Sequence, residues 1–320
     1  MMKTAVAFIV YKRPDTTRRV FEAIRQARPT RLYLIADGPK APDIEPKCTE
    51  VRQIVENGID WDCELTPVYS DENLGLANRV QTGLDYVFSH EKAAIILEDD
   101  TLPNDSFFHF CEELLVRYSN DHRVAHISGC NLHPESFAGS NSYSLCSIVN
   151  IWGWATWART WQSFDLQMET WKNAPQDEIL NQWCHKKKER KEIRAMFDLH
   201  CQNKDPWAWS YQWIYACWSQ NGLSVVPHKN LVSNIGIGPD ASNTTSSEQV
   251  PFFPERIESI KFPLVHPKIK RDKEFETRYR QKEGPTIARQ FKNFLKTLTN
   301  KLRKLSCKKD TRRTWGNTFN

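Results

Sequence analysis

The sequence predicts an α/β protein with a mostly parallel sheet and helices on both faces. Three observations predict it. Apolar runs of strand length alternate with helical apolar periodicity over the first hundred residues. The runs are apolar at successive positions, as strands buried on both faces require. Each run ends in charged or turn-forming residues. Ala5 to Tyr11 is the first strand, closed by Lys12-Arg13-Pro14. Asp15 is placed to cap a helix with apolar positions Val20, Phe21, Ile24 and Ala27. Leu32 to Ala36 is the second strand, stopped by Asp37-Gly38-Pro39. A short helix starts over Val51 to Val55, and Glu64 to Tyr69 is the third strand. Asn73-Leu74-Gly75 leads into a helix with Val80, Leu84 and Val87 at helical spacing. Ala93 to Leu97 is the fourth strand, and it ends in Glu98-Asp99-Asp100. Ligands of such sheets sit beyond the carboxyl ends of the strands, which places Arg13, Asp37 and the acidic triplet at one site.

The second half is less regular. Phe107 to Tyr118 reads as a helix, Val124 to Ser128 and Leu223 to Pro227 as strands, and Asn234 to Thr245 as a mobile loop. Ten of the twelve tryptophans fall between Trp152 and Trp218.

Composition narrows the classes further. The chain has 320 residues, 40% of them hydrophobic, which suffices for one large or two medium cores. No stretch approaches the roughly 20 apolar residues of a spanning helix. The opening MMKTAVAFIVYKRP has too short an apolar run, and no small-residue cleavage site, for a signal peptide. Nine cysteines, an odd number without CxxC spacing, fit a reducing, cytoplasmic compartment. The net charge of +5 is unevenly distributed: residues 286–320 hold ten Lys and Arg against Asp310 alone, so residues 1–285 are mildly acidic. An acidic body excludes a nucleic-acid partner.

Three consecutive acids after a fully apolar strand call for a counter-charge. A hard divalent cation with oxygen ligands, Mg²⁺ or Mn²⁺, supplies it, completed by substrate phosphates and water. Other clusters read more plainly. Cys184-His185 and His200-Cys201 fit no zinc spacing. Lys186 to Lys191 is a solvated helix face. The sequons at Asn104 and Asn243 have no role in a cytosolic protein.

The segments AVAFIVYKRPD, YLIADGP, NLGLANRVQTGLDYVF, AIILEDDTLPNDSFFHFCEELLVRY, IWGWATWARTW, YQWIYACW and LVSNIGIGPDASNTT together resemble the bacterial nucleotide-diphospho-sugar transferases often called hemolytic protein HlpA-like. They are more distantly similar to the N-acetylglucosaminyltransferase I family, inverting enzymes of the GT-A fold. The resemblance spans roughly residues 4–265. It implies that Glu98-Asp99-Asp100 stands in place of a DxD-type motif, with Asp100 the metal ligand and Glu98 and Asp99 beside the donor. It implies that Asp37 contacts the nucleotide base; a carboxylate accepting from a uracil N3–H points to UDP. Arg13 would clamp the diphosphate, and Arg79 would lie near the donor. An ordinary salt bridge or solvated helix residue reads equally well for both arginines. Trp152-Gly153-Trp154 matches a segment near donor sugar and acceptor, where flat rings stack on sugars and Gly lets the backbone approach.

The resemblance also implies a general base, a carboxylate that takes the acceptor hydroxyl proton. Relatives often read D-T-W-D-Y-Q-W where this chain reads Asp205-Pro206-Trp207-Ala208-Trp209-Ser210-Tyr211-Gln212-Trp213. With two extra residues allowed, Asp205 becomes that base; Asp240, in the loop GPDASNTT, is the alternative. Relatives often carry His where this chain has Asn243.

The expected organisation is a GT-A domain over 1–265, a linker over 266–285, and a basic tail over 286–320. The tail places apolar residues at 287, 291, 294, 295, 298, 302 and 305, one stripe of an amphipathic helix. A helix with one apolar and one basic face lies on an anionic membrane. The expected function is a metal-dependent inverting transfer from a nucleotide-sugar donor to a glycan or glycolipid acceptor, in cell-surface polysaccharide synthesis. The expected location is the cytoplasmic face of the membrane. Two alternatives remain: a sugar-phosphate nucleotidyltransferase, whose glycine-rich loop is missing after the first strand, and a membrane-active protein acting through its tail.

Overall fold

A computed structural model describes residues 2–203, 206, 208–236 and 257–283. β1 (Ala5–Val10) is buried at all six positions, as its unbroken apolar run requires. α1 (Pro14–Ala27) starts at the proline, which suits a first helical position because its missing N–H has no partner there. Arg13 therefore holds the N-cap position without a side-chain cap bond, and Asp15 falls in the first turn instead of capping. β2 (Arg31–Ala36) follows, then α2 (Glu45–Glu56), longer than the sequence predicts because Pro46 again opens it. β3 (Glu64–Tyr69), α3 (Leu76–His90) and β4 (Ala93–Glu98) complete the regular half.

The remaining elements are β5 (Thr101–Pro103), α4 (Asp105–Arg117), β6 (Val124–Ser128), β7 (Tyr143–Cys146), β8 (Trp154–Trp157), α5 (Ala158–Trp161), α6 (Gln176–Trp183), α7 (Lys187–Gln202), α8 (Ser210–Ser219), β9 (Leu223–Pro227), β10 (Val232–Asn234) and α9 (Lys273–Glu283). Eight strands form one sheet in the order β3-β2-β1-β4-β8-β6-β9-β7, and β10 pairs with β5 apart from it. The pairs β3–β2, β2–β1, β1–β4 and β6–β9 are parallel. β8 and β7 run against their neighbours. The sheet is thus mostly parallel and Rossmann-like, with α1 beside α2 and α4, and α5 beside α3 and α8.

Strand order reverses between β1 and β4: β2 and β3 extend the sheet to one side of β1, and β4 lies on the other. Both strands are pinned by parallel register, Phe8 opposite Leu97 and Ile9 opposite Glu98. A crevice opens at such a reversal, outside the carboxyl ends of the strands. Arg13 and Glu98-Asp99-Asp100 lie there.

One sequence expectation needs correction. The segment 266–285 is no free linker as far as Glu283. Phe275 and Tyr279 of α9 are 0% exposed, packed with Cys146, Ile148 and Val226. Glu276, equally buried, accepts from Arg271 Nε at 2.8 Å, the Ser147 N–H at 2.6 Å and His185 Nε2 at 2.5 Å. The folded body therefore runs past residue 265. The tryptophan-rich stretch is mainly core. Trp154, Trp161 and Trp213 cluster with ring centroids 5.0–6.4 Å apart, and α8 carries Trp213 and Trp218 inward. The eight described cysteines are all free thiols. No described helix is long and apolar enough to cross a membrane. The basic tail 286–320 lies outside the described residues.

Candidate active site

At the crevice a cleft of about 460 Å³ is lined by Arg13, Asp37, Arg79, Glu98, Asp99, Asp100 and Trp152 among others. That size falls in the usual range for small-ligand sites. Seven of the residues singled out from the sequence therefore share one cavity. They come from the ends of β1, β2 and β4, from α3, and from the segment before β8.

The acidic wall follows from β4. Its last residue, Glu98, is tied to Thr101, whose hydroxyl accepts from the Glu98 N–H at 2.9 Å and donates to the Glu98 carbonyl at 3.0 Å. Glu98, Asp99 and Asp100 all line the cleft from this turn. Burial, then Asp100 and Asp99, pushes the Glu98 carboxyl up to about 8. Burial also pushes Asp99 up, to about 6, although Arg13 opposes the shift. Arg13 Nη2 donates both to Asp99 Oδ1 and, at 2.9 Å, to Asp100 Oδ2. Burial works against the Arg13 charge, but the two aspartates outweigh it and raise the guanidinium above its ordinary value. Asp99 Oδ2 is buried without a hydrogen-bond partner among the described residues.

The opposite charge is supplied by α3. Arg79 is 5% exposed, and its Nη2 donates to the Val68 carbonyl at 3.3 Å. Its Nε has no partner among the described residues. Burial lowers the guanidinium below its ordinary value, and the charge of Asp37 offsets only part of that. A buried cation without an ion pair is unfavourable unless an anion arrives.

Asp37 is 5% exposed and fully engaged. Oδ1 accepts from the N–H groups of Gly38 at 3.0 Å and Leu74 at 2.9 Å. Oδ2 accepts from Gly75 N–H at 3.0 Å and Asn73 Nδ2 at 3.1 Å. A carboxylate offers about four acceptor positions, so none remains for a uracil N3–H. Asp37 organises the loop that launches α3 and carries Arg79. The expected contact with the base is corrected to this positioning role.

Trp152 is partly exposed on the cleft, whereas Trp154 is 1% exposed and stacks on His126 and Trp209 with centroids 5.4 and 5.7 Å away. Trp152 precedes β8, and the left-handed turn at Gly153 separates it from Trp154, the first residue of the strand, which is buried in the core. Gly153 has φ of +61°, and a Cβ there would stand 2.8 Å from Val232. Its carbonyl accepts from Gly129 N–H at 2.7 Å. Gly153 is thus required by backbone conformation and packing. Neither Gly153 nor Trp154 lines the cleft, correcting their expected place at the donor.

Sequence reasoning set Lys12 at the ligand end of the first strand but passed over Tyr11, Lys40, Asn73, Ser210 and Asn234; all six also line the cleft. The rule that strand ends carry the ligand reaches Tyr11 and Lys12, and Lys40 lies just beyond Asp37-Gly38-Pro39. Asp205 and Asp240, the two candidates for the base, lie outside the described residues. Among the described residues no three His, Cys, Asp or Glu side chains converge as a protein-only metal site would. The acidic wall still suits a hard cation: its donors are all oxygens, and one buried oxygen of Asp99 is unpartnered.

No known protein family and no curated protein matches the sequence. Three similar solved structures each share 11% identity with this chain. A UDP-glucose pyrophosphorylase complexed with UDP-glucose matches with a TM-score of 0.32 over 51% of this chain and 79% of its own. HddC from Yersinia pseudotuberculosis matches with 0.31 over 50% and 80%. A protein described as a glucose-1-phosphate thymidylyltransferase from Bacillus anthracis matches with 0.32 over 50% and 74%. Likeness at this level carries no argument about activity, and the reading of the site rests on its own residues.

Proposed function

We propose that the cleft binds a nucleotide-diphosphate sugar and that the protein is a metal-dependent, inverting glycosyltransferase acting on a hydroxyl of a glycan or glycolipid. One observation carries this reading: a single cleft holds a buried guanidinium, Arg79, that has no ion-pair partner among the described residues, together with a wall of three carboxylates. A diphosphate satisfies the first directly and the second through a shared divalent cation. Mg²⁺ or Mn²⁺ held by Asp100 and the donor phosphates would neutralise the departing nucleotide. Arg79 draws the diphosphate to the foot of α3, with Lys12 and Lys40 at the rim. Asp37 fixes the loop beneath them. Trp152 offers a ring face to the sugar. Asp205, or Asp240 in its place, takes the proton from the acceptor oxygen. UDP is the first nucleotide to try, although Asp37 no longer supplies the reason.

The nucleotidyltransferase alternative meets a structural obstacle. α1 begins four residues after β1 ends, and the connection Tyr11-Lys12-Arg13 contains no glycine to cradle a triphosphate. Thermal shift with UDP, GDP and TDP, each with and without Mn²⁺, tests binding, because a ligand of the native state raises its melting point by mass action. Asp100→Asn is expected to lower metal-dependent donor turnover by about 10²-fold or more, as loss of charge stabilisation at a leaving group does. Arg79→Met is expected to weaken nucleotide binding with or without metal. For the base, Asp205→Asn should lower kcat roughly 10²–10⁴-fold with nucleotide–Mn²⁺ binding unchanged. The same behaviour in Asp240→Asn alone would move the role there. Release of pyrophosphate from a nucleoside triphosphate and a sugar 1-phosphate would replace the reading by nucleotidyl transfer.

A further inference from the structure

Arg13 occupies the position from which a cation would meet the acidic wall. Its Nη2 bridges two carboxylates on successive residues, Asp99 and Asp100. The rest of Arg13 is held firmly: its carbonyl accepts from Thr17 N–H at 3.0 Å and Thr16 Oγ1 at 3.3 Å, at the N-cap of α1. Gly236 covers the bridge from the other side. A Cβ there would collide with Asp100 Oδ2 and Arg13 Nη1, so only glycine allows the chain to lie this close. Ile235 N–H donates to the Asp100 carbonyl at 2.7 Å, and β10 is paired with β5 just beyond Asp100. The ion pair is thus enclosed by β1, β4 and β10 and its side chains are less than a fifth exposed.

We infer that Arg13 is a built-in competitor of the divalent cation, which keeps the acidic wall closed to free metal and yields it when a donor diphosphate arrives. The inference rests on the proposed function and adds regulation to the same site. The single guanidinium is shared between two carboxylates, so the wall keeps negative charge that attracts a divalent ion. Asp99 and Asp100, the side chains that would hold such an ion, already bind Arg13 through one oxygen each. A diphosphate changes the balance by offering the guanidinium a bidentate partner in the same cleft. Metal and nucleotide therefore bind with positive coupling, and each raises the affinity for the other by the same factor.

Mn²⁺ binding followed by electron paramagnetic resonance, with no turnover involved, tests this. Wild type is expected to bind Mn²⁺ weakly alone and more tightly with UDP present. Arg13→Gln is expected to bind Mn²⁺ alone about 10- to 100-fold more tightly than wild type, the scale of one removed unit charge at a partly screened site. It is also expected to lose most of the gain that UDP confers. Arg13→Lys, which keeps the charge without the bridge, should fall between the two, and circular dichroism melts establish that both variants are folded. Mn²⁺ affinities of wild type and Arg13→Gln within twofold of each other, with UDP still enhancing both, would overturn the inference and leave the function standing. Absence of Mn²⁺ uptake by all three proteins with UDP present would overturn both.

Discussion

Glu98 lies where burial and two neighbouring carboxylates oppose its charge, and stability must record this. Its folded value is about 8 against an ordinary 4.5. A raised value means that the folded state holds its proton more tightly than the unfolded one. The stability gained is complete below pH 4.5 and is lost as pH rises through 8. The buried histidines act in the opposite sense: burial lowers His126 and His200 to about 4, so their contribution is lost only as pH falls below 6.5. Between pH 6.5 and 8 Glu98 therefore dominates, facing Asp99, Asp100 and Arg13. The melting temperature of the metal-free protein is expected to rise as pH falls from 8 to 6.5, and Glu98→Gln should flatten that slope. An unchanged slope in the variant would show that Glu98 is ionised throughout. At this scale the sequence names the right neighbourhood but not each role. Asp37 and Trp154 are visible as chemistry-bearing residues, yet whether a carboxylate's oxygens are free, or which way a ring points, depends on loops that close only in three dimensions.

The elements of the first half were legible because strands buried on both faces have one apolar pattern and helices another. β8 was not, since the residues Trp154-Ala155-Thr156-Trp157 have no period that separates a core strand from a ligand-lining loop. α9 was hidden for a different reason. Its sequence KEFETRYRQKE is mostly charged, and two rings plus one carboxylate dock it. Burial works against the charge of Glu276, but hydrogen bonds from Arg271 outweigh it and hold the carboxyl below its usual range. Phe275→Ala is expected to destabilise the protein by about 3–5 kcal/mol, the usual effect of emptying a buried aromatic site. Urea unfolding measures it. A chain ending at Val265 should lose at least as much, and equal stability with or without α9 would restore the linker reading.

For the whole molecule, charge separates into a mildly acidic body and a basic tail over 286–320. The full chain is expected to co-sediment with vesicles containing anionic lipid, and less so at high salt because exposed charges are screened. A chain ending at Glu283 should stay in solution and still bind UDP–Mn²⁺. Binding by both chains or by neither would remove the tail from membrane attachment.

The docking of α9 decides which way such an attached enzyme would face. Near its end, Tyr279 meets His133 with ring centroids 4.8 Å apart and its hydroxyl accepts from Asn150 Nδ2 at 3.2 Å. His133 belongs to the loop that leaves the carboxyl end of β6, and β6 runs in the direction of β1 and β4. α9 therefore ends toward the end of the sheet where the cleft opens. It does so beside β7, four strands from β4, roughly 19 Å away at about 4.8 Å per strand. An anchor in that place turns the mouth of the cleft toward the bilayer while holding it to one side. The reachable hydroxyls are then those of sugars standing some distance out from the lipid, and a lipid-linked acceptor with two or more sugars should outperform one with a single sugar, but only for the membrane-bound chain.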